Sequence, residues 1–139
     1  MLGGSFQRDT ERITYEVNMG FQRKSKYGAT KCKSTDGIMF DSKKERDRWE
    51  ELRVMQKRGK ITDLRRQVSF ELIPNQRGED GKIVERAIKY IADFVYTKDG
   101  QDVVEDVKGY RDPQSAGYAK FVMKRKMMLY FYHINVQEV

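Results

Sequence analysis

Polar and apolar positions first fall into register at Ser42. Glu45, Trp49, Leu52 and Met55 or Gln56 recur at three- and four-residue steps, with Arg46, Asp47, Arg48, Glu50, Glu51 and Arg53 mostly elsewhere, the period of an amphipathic helix. Ser42-Lys43-Lys44-Glu45 has the spacing of a capping box and Gly59 is a natural stop, so the helix is predicted between them. After Ile61 to Gln67 the period shortens to two: Val68, Phe70 and Leu72 predict a half-buried strand over 68–73, ending at Pro74. Asn75 to Lys82, with Gly78 and Gly81, reads as a polar hairpin loop. Strands over 84–97 and 102–108 then complete a meander. Gly109 to Gly117, with Asp112-Pro113 and Ser115, reads as loop. Tyr118 to Tyr132 reads as a basic, partly amphipathic helix, and Ile134, Val136 and Val139 as a terminal strand. The order helix, three strands, helix, strand predicts an α/β domain with a mixed central sheet flanked by helices.

Within the meander, two runs rich in β-branched and aromatic residues, Ile88 to Tyr96 and Val103 to Val107, flank Lys98-Asp99-Gly100-Gln101, a strong hairpin signal. With Asp99 and Gly100 at the centre of a type I′ turn, Lys98 faces Gln101, Val95 faces Val104 and Asp93 faces Asp106. Alternation sends Ile91, Asp93, Val95, Val104, Asp106 and Lys108 to one face, and Tyr90, Ala92, Phe94, Val103, Glu105 and Val107 to the other. Like charges directly opposite on neighbouring strands cost up to about 1 kcal/mol. A divalent cation reverses that sign, because carboxylates at such spacing can converge on Mg²⁺, a hard ion that takes oxygen ligands.

Charge narrows the partner. The chain has 28 Lys+Arg against 21 Asp+Glu, net +7, and Met1 to Lys60 carries most of the surplus, 15 basic residues against 9 acidic. A polyanion fits that balance. Phe21 to Lys33 holds Arg23, Lys24, Lys26, Lys31 and Lys33 without an acid, and residues 1–25 read as a basic arm, with an accessory strand around Thr14 to Val17 as the alternative. Residues 26–139 read as one domain. Cys32 and His133 are the only cysteine and histidine, which leaves no internal disulfide and no Cys/His zinc cluster. No run approaches a membrane span and the N-terminus lacks an apolar signal core, so a cytoplasmic location is expected.

The candidate chemistry is metal-assisted phosphodiester hydrolysis. Asp93 and Asp106 hold Mg²⁺, with Mn²⁺ as a substitute. Lys108 orients or deprotonates the attacking water, or stabilises charge developing on the phosphate. Glu45 completes the shell directly or through a water, or else simply closes the capping box; the main-chain carbonyl of Val107 is a further ligand candidate. Glu105 falls on the opposite face and is set aside unless the strand bulges. For DNA contact the candidates are Lys24, Lys26, Lys31, Lys33, Lys43, Lys44, Lys120, Lys124 and Lys126, with Gln67 near the scissile phosphate; solvated helix face and strand edge are the plainer readings of these positions.

The helix bearing Glu45, the strand Tyr90-Ile91-Ala92-Asp93-Phe94 and the run Glu105-Asp106-Val107-Lys108-Gly109 resemble the PD-(D/E)xK nuclease superfamily, in particular its small phage-encoded members. The likeness spans roughly Lys26 to Val139 and includes Tyr27-Gly28 and Phe40-Asp41-Ser42-Lys43-Lys44-Glu45. It implies a restriction-endonuclease-like αβββαβ core, Mg²⁺ or Mn²⁺ dependence and cleavage of DNA, with Asp93 as the first aspartate, Asp106 as the second acid, Lys108 as the lysine and Glu45 as the helix acid. Ala92 stands where the motif has proline. By analogy with small resolvases, branched DNA such as a Holliday junction is an expected substrate, and junction resolution implies a homodimer. A nucleic-acid-binding adaptor on the same scaffold is the alternative from another class; a ribonuclease H-like nuclease is a third.

Overall fold

The structure is a computed structural model that describes residues 31–109 and 111–139. The expected arm over 1–25, the Tyr27-Gly28 start and the candidates Lys24 and Lys26 lie outside the described residues. The chain opens with a short hairpin, β1 (Cys32–Lys33) and β2 (Met39–Phe40), turning at Gly37, whose φ of 90° suits glycine. Helix α1 (Lys43–Lys57) follows, and it starts where the capping spacing placed it: Ser42 Oγ accepts from the Glu45 amide at 3.1 Å. Its apolar stripe buries Trp49 and Leu52, the latter with no exposed surface; burying such a side chain stabilises by roughly 1.5 to 3 kcal/mol.

The sheet begins with β3 (Thr62–Ile73), which starts at Thr62 rather than Val68. Residues 62–67 carry no alternation that would mark them as strand, and Asp63 and Gln67 both have positive φ, 54° and 53°. The expected polar loop contains two short strands, β4 (Gln76–Arg77) and β5 (Ile83–Glu85), paired with each other. The middle strand of the meander is therefore divided, and its long part is β6 (Ile88–Lys98). It turns at Asp99 and Gly100, both with positive φ, 52° and 76°, as a type I′ turn requires. Strand β7 (Gln101–Asp106) returns in the predicted register, Lys98 opposite Gln101 and Val95 opposite Val104. Helix α2 (Ala116–Tyr132) starts earlier than its apolar pattern shows, because Ser115 is its N-cap. Its last residue hands over to His133 in the left-handed region. The terminal strand β8 is short, Gln137–Glu138.

The four-stranded sheet has the order β3-β6-β7-β8, antiparallel except that β8 runs parallel to β7. The α/β class, the mixed sheet and the element order αβββαβ are thus as the pattern predicted. One helix covers each face. On the α1 side Trp49 stacks on Phe94 at 5.9 Å between ring centres and Phe40, Leu52 and Tyr96 complete the packing. On the α2 side Phe121 and Met128 close over Val68, Phe70, Ala92 and Val95. Among the described residues no helix is long and apolar enough to cross a membrane.

Alternation along β6 does not hold throughout. Val95 and Val104 point to α2, and Phe94 and Tyr96 to α1, as parity requires. Tyr90 and Ala92, expected beside Phe94, instead join the α2 side. The reversal has a counterpart on β3, where Arg66 lies over the Phe40 ring on the α1 side while Val68 is buried on the α2 side. The ladder pairs Arg66 with Phe94 and Val68 with Ala92, so the two strands turn over together, around the left-handed Gln67 and its neighbour Asp93.

Candidate active site

The turnover point brings the predicted acids together. Asp93 leaves the ladder there: its Oδ2 accepts from the Val107 amide at 2.8 Å, and its Oδ1 lies 3.4 Å from Gln67 Nε2. The main-chain pairing of β6 with β7 ends at Phe94 and Glu105, and beyond it β8 takes over, pairing Glu138 with Asp106. Val139 N donates to the Asp106 carbonyl and Lys108 N to that of Val139, both at 3.0 Å. The three predicted residues of the hairpin therefore stand on a backbone held from both sides.

Asp106 is 6 % exposed and its carboxylate has a defined partner on each oxygen. Tyr90 Oη donates to Oδ2 at 2.8 Å, and Lys108 Nζ lies 2.9 Å from Oδ1. Lys108 is also held on its other side, 3.8 Å above the Phe121 ring, a cation–π contact from α2. Asp93 is close enough to feel the Asp106 charge. Burial, and then the Asp106 charge, push the Asp93 carboxyl well above the usual carboxylate range, against the Val107 amide, which favours the ionised form. Burial and Asp106 likewise hold the Tyr90 hydroxyl protonated, so toward Asp106 it is a donor.

Glu45, in the first turn of α1, is half-buried. Desolvation raises its carboxyl first, then the charges of Asp41 and Asp106, while Arg66 and Lys108 oppose them. It is in electrostatic reach of the site without joining a three-carboxylate group: among the described residues no three of His, Cys, Asp and Glu assemble as a metal cluster. Glu105 is on the far side, as parity predicted. It is 2 % exposed and engaged by Arg48, through Nε at 2.9 Å and Nη2 at 2.5 Å, and by Tyr96 Oη at 2.6 Å. That network fastens α1 to the sheet; Glu105 raises Arg48 above its usual value, and burial, then the bond to Glu105, raises Tyr96. Val107, named for its carbonyl, contributes its amide to Asp93.

The basic candidates are less concentrated. Lys31, Lys33, Lys43, Lys44, Lys120 and Lys126 are exposed and Lys124 is half-buried. Of these Lys44 reaches the site, its Nζ donating to the Lys108 carbonyl at 2.7 Å. Tyr90 and Arg66 belong to the site and were not predicted there. For Tyr90 no signal existed, because its expected face was the α1 side. Arg66 had one: it shares parity with Val68, Phe70 and Leu72, and a cation in an otherwise apolar row is out of place on structural grounds alone.

No curated protein and no solved structure matches the chain. A family model described as "Protein of unknown function (DUF1064)" matches residues 24–138, which takes in every described element of the fold and the whole site, and the chain belongs to that family.

Proposed function

We propose that this protein is a divalent-metal-dependent endodeoxyribonuclease. The observation that carries the reading is the pair of half-buried Asp93 and buried Asp106, held by the Val107 amide and by Tyr90, with Lys108 on the other oxygen of Asp106. The donor set fits Mg²⁺ or Mn²⁺. It is all oxygen, and two acids forced together in a partly dry setting have an electrostatic conflict that a hard dication relieves. Asp93 and Asp106 would hold the ion, with Glu45 reaching it directly or through a water and the Val107 carbonyl as a further donor. Bound there, it would supply Lewis acidity to a phosphoryl oxygen and make water more acidic.

The remaining chemistry is that of the chain itself. Lys108, fixed between Asp106 and the Phe121 ring, presents its ammonium at the edge of the pair, where it can donate to a phosphate oxygen as negative charge builds there. Tyr90 and the Val107 amide hold the two carboxylates in one orientation each, so little reorganisation is needed when substrate arrives. Gln67 turns its amide to Asp93. Its left-handed backbone costs on the order of 1 to 2 kcal/mol for a non-glycine residue, a strain of the kind kept at functional sites. The charge surplus supports a polyanionic substrate. By the resemblance, the setting is a phage-infected cell's cytoplasm, branched DNA is the preferred substrate, and a homodimer is the working form for a junction.

Purified protein incubated with linear and branched DNA in Mg²⁺ should nick or cut it, and Asp106→Asn should not. Equal nicking by both proteins overturns the assignment. Salt-sensitive DNA binding that Asp93→Ala leaves unchanged and metal does not help, without cleavage, would instead identify an adaptor.

A further inference from the structure

Two arginines reach the α1 side of the sheet, and they are not in the same state. The Arg48 guanidinium is saturated by Glu105 and Glu51. Arg66 makes no ion pair among the described residues. Its Nε is buried without a hydrogen-bond partner, and the guanidinium carbon lies 4.9 Å from the centre of the Phe40 ring. Arg66 pairs across the ladder with Phe94, next to Asp93, so its backbone is one residue removed from the carboxylate pair.

A half-buried guanidinium with an unsatisfied N–H is unfavourable as structure, and this position did not have to be so filled. Val68 on the same parity is buried in the α2-side core. It is the left-handed Gln67, φ 53°, that turns Arg66 out of that row and over Phe40. With Nε enclosed and a ring beneath the guanidinium, the two Nη groups are the ones left to meet an acceptor, and a planar pair of donors matches the oxygens of a phosphate.

We propose that Arg66 receives a backbone phosphate of the substrate, holding the phosphodiester strand against Asp93 and Asp106 from the β3 side, opposite Lys108. The inference rests on the nuclease reading for its substrate class and extends it by a residue that neither the acid pair nor the Asp-x-Lys spacing includes. It also answers an electrostatic need: carboxylates at the floor of the site repel a polyanion, and Arg66 with Lys108 flanks them with positive charge.

The test measures binding, apart from cleavage. A fluorescent DNA duplex is titrated with full-length protein in Ca²⁺ over a series of salt concentrations, using Arg66→Gln, Arg66→Lys and, as an equal loss of charge remote from the site, Lys98→Gln. Expected is a tenfold or greater loss of affinity for Arg66→Gln and a salt slope smaller by about 0.9, the signature of one lost phosphate contact. Arg66→Lys should recover the slope, and Lys98→Gln should match the parent protein. Parent affinity and slope in Arg66→Gln overturn the inference, and so does equal weakening by Lys98→Gln. Weakening by Arg66→Lys as severe as by Arg66→Gln with an unchanged slope shows a structural role and overturns it too. Cleavage assays run beside the titration separate the two proposals. Asp106-dependent cleavage with normal binding by Arg66→Gln keeps the nuclease and removes Arg66, whereas a lost phosphate contact in a protein that never cleaves does the reverse.

Discussion

Without metal the protein should lose stability as pH rises from about 5 to about 8.5, and Asp106→Asn should remove the part of that loss that the Asp106 charge causes. Burial, followed by the Asp106 charge, pushes the Asp93 carboxyl from 3.8 up to about 8. A carboxyl that titrates higher in the folded than in the unfolded chain binds its proton more tightly when folded. Its stabilising contribution is therefore complete below about pH 4 and is lost as pH climbs toward 8. From about pH 5 upward the ceiling of that loss is about 4 kcal/mol; half of it is a reasonable yield after relaxation of the site, a fall in melting temperature of roughly 6 to 10 °C for a chain of this size. Trp49, the single tryptophan, is stacked in the α1-side core against Phe94, and its fluorescence reports urea unfolding directly. In EDTA the midpoint should fall across the pH series. Mg²⁺ should restore more at the alkaline end, where both acids are ionised, than at the acid end. Asp106→Asn relieves the repulsion but leaves Asp93 as desolvated as before, so it should show a shallower profile, higher alkaline stability than the parent without metal, and no response to Mg²⁺. Equal midpoints at the two ends of the series in the parent protein, or a mutant as pH-sensitive as the parent, would refute the paired-acid account.

Two further substitutions separate the residues that support the site from those that form it. Glu105→Gln leaves Arg48 with Glu51 as its remaining charged partner and should cost roughly 1.5 to 3 kcal/mol in urea unfolding, as for loss of a hydrogen bond between charged groups, while the response of the remaining folded protein to Mg²⁺ is kept, because Glu105 faces α1 and not the acid pair. Tyr90→Phe keeps the buried ring and removes only the hydrogen bond to Asp106; the Mg²⁺ concentration giving half of the thermal stabilisation should rise about tenfold, as for loss of a partner that orients a ligand, and an unchanged midpoint would show that Tyr90 is packing alone.

The contrast between the two strands of the hairpin explains what the sequence could and could not disclose. On β7, Val104 and Asp106 face α2 while Val103, Glu105 and Val107 face α1, as a period of two demands. That parity correctly placed the adjacent acids Asp106 and Glu105 on opposite faces. On β6 the same rule misplaced Tyr90 and Ala92. Its failure was imposed by the neighbour β3, where a left-handed glutamine turns both strands over, and glutamine carries no sequence preference for that conformation that a reader could use. Asp93 came out on the right side because the reversal begins at it. The capping of α1 by Ser42 and the Asp99-Gly100 turn were legible for the complementary reason: each depends on contacts within a few residues, which local chemistry decides.

The turnover is also what the site needs. Were β6 regular, Tyr90 would lie on the face of Phe94 and could not donate to Asp106, and Arg66 would share the apolar row of Val68, away from Glu45. One strand instead supplies the α2 core with Tyr90 and Ala92, the α1 core with Phe94 and Tyr96, and a carboxylate at the crossing where neither core claims it. Strain at Gln67 of about 1 to 2 kcal/mol is small beside the burial gained on the two faces, since each fully buried aromatic or aliphatic side chain contributes a comparable amount or more. A local rule broken on two adjacent strands at the same level, with both cores intact on either side, is how a regular sheet accommodates a polar site in its interior without unfolding around it.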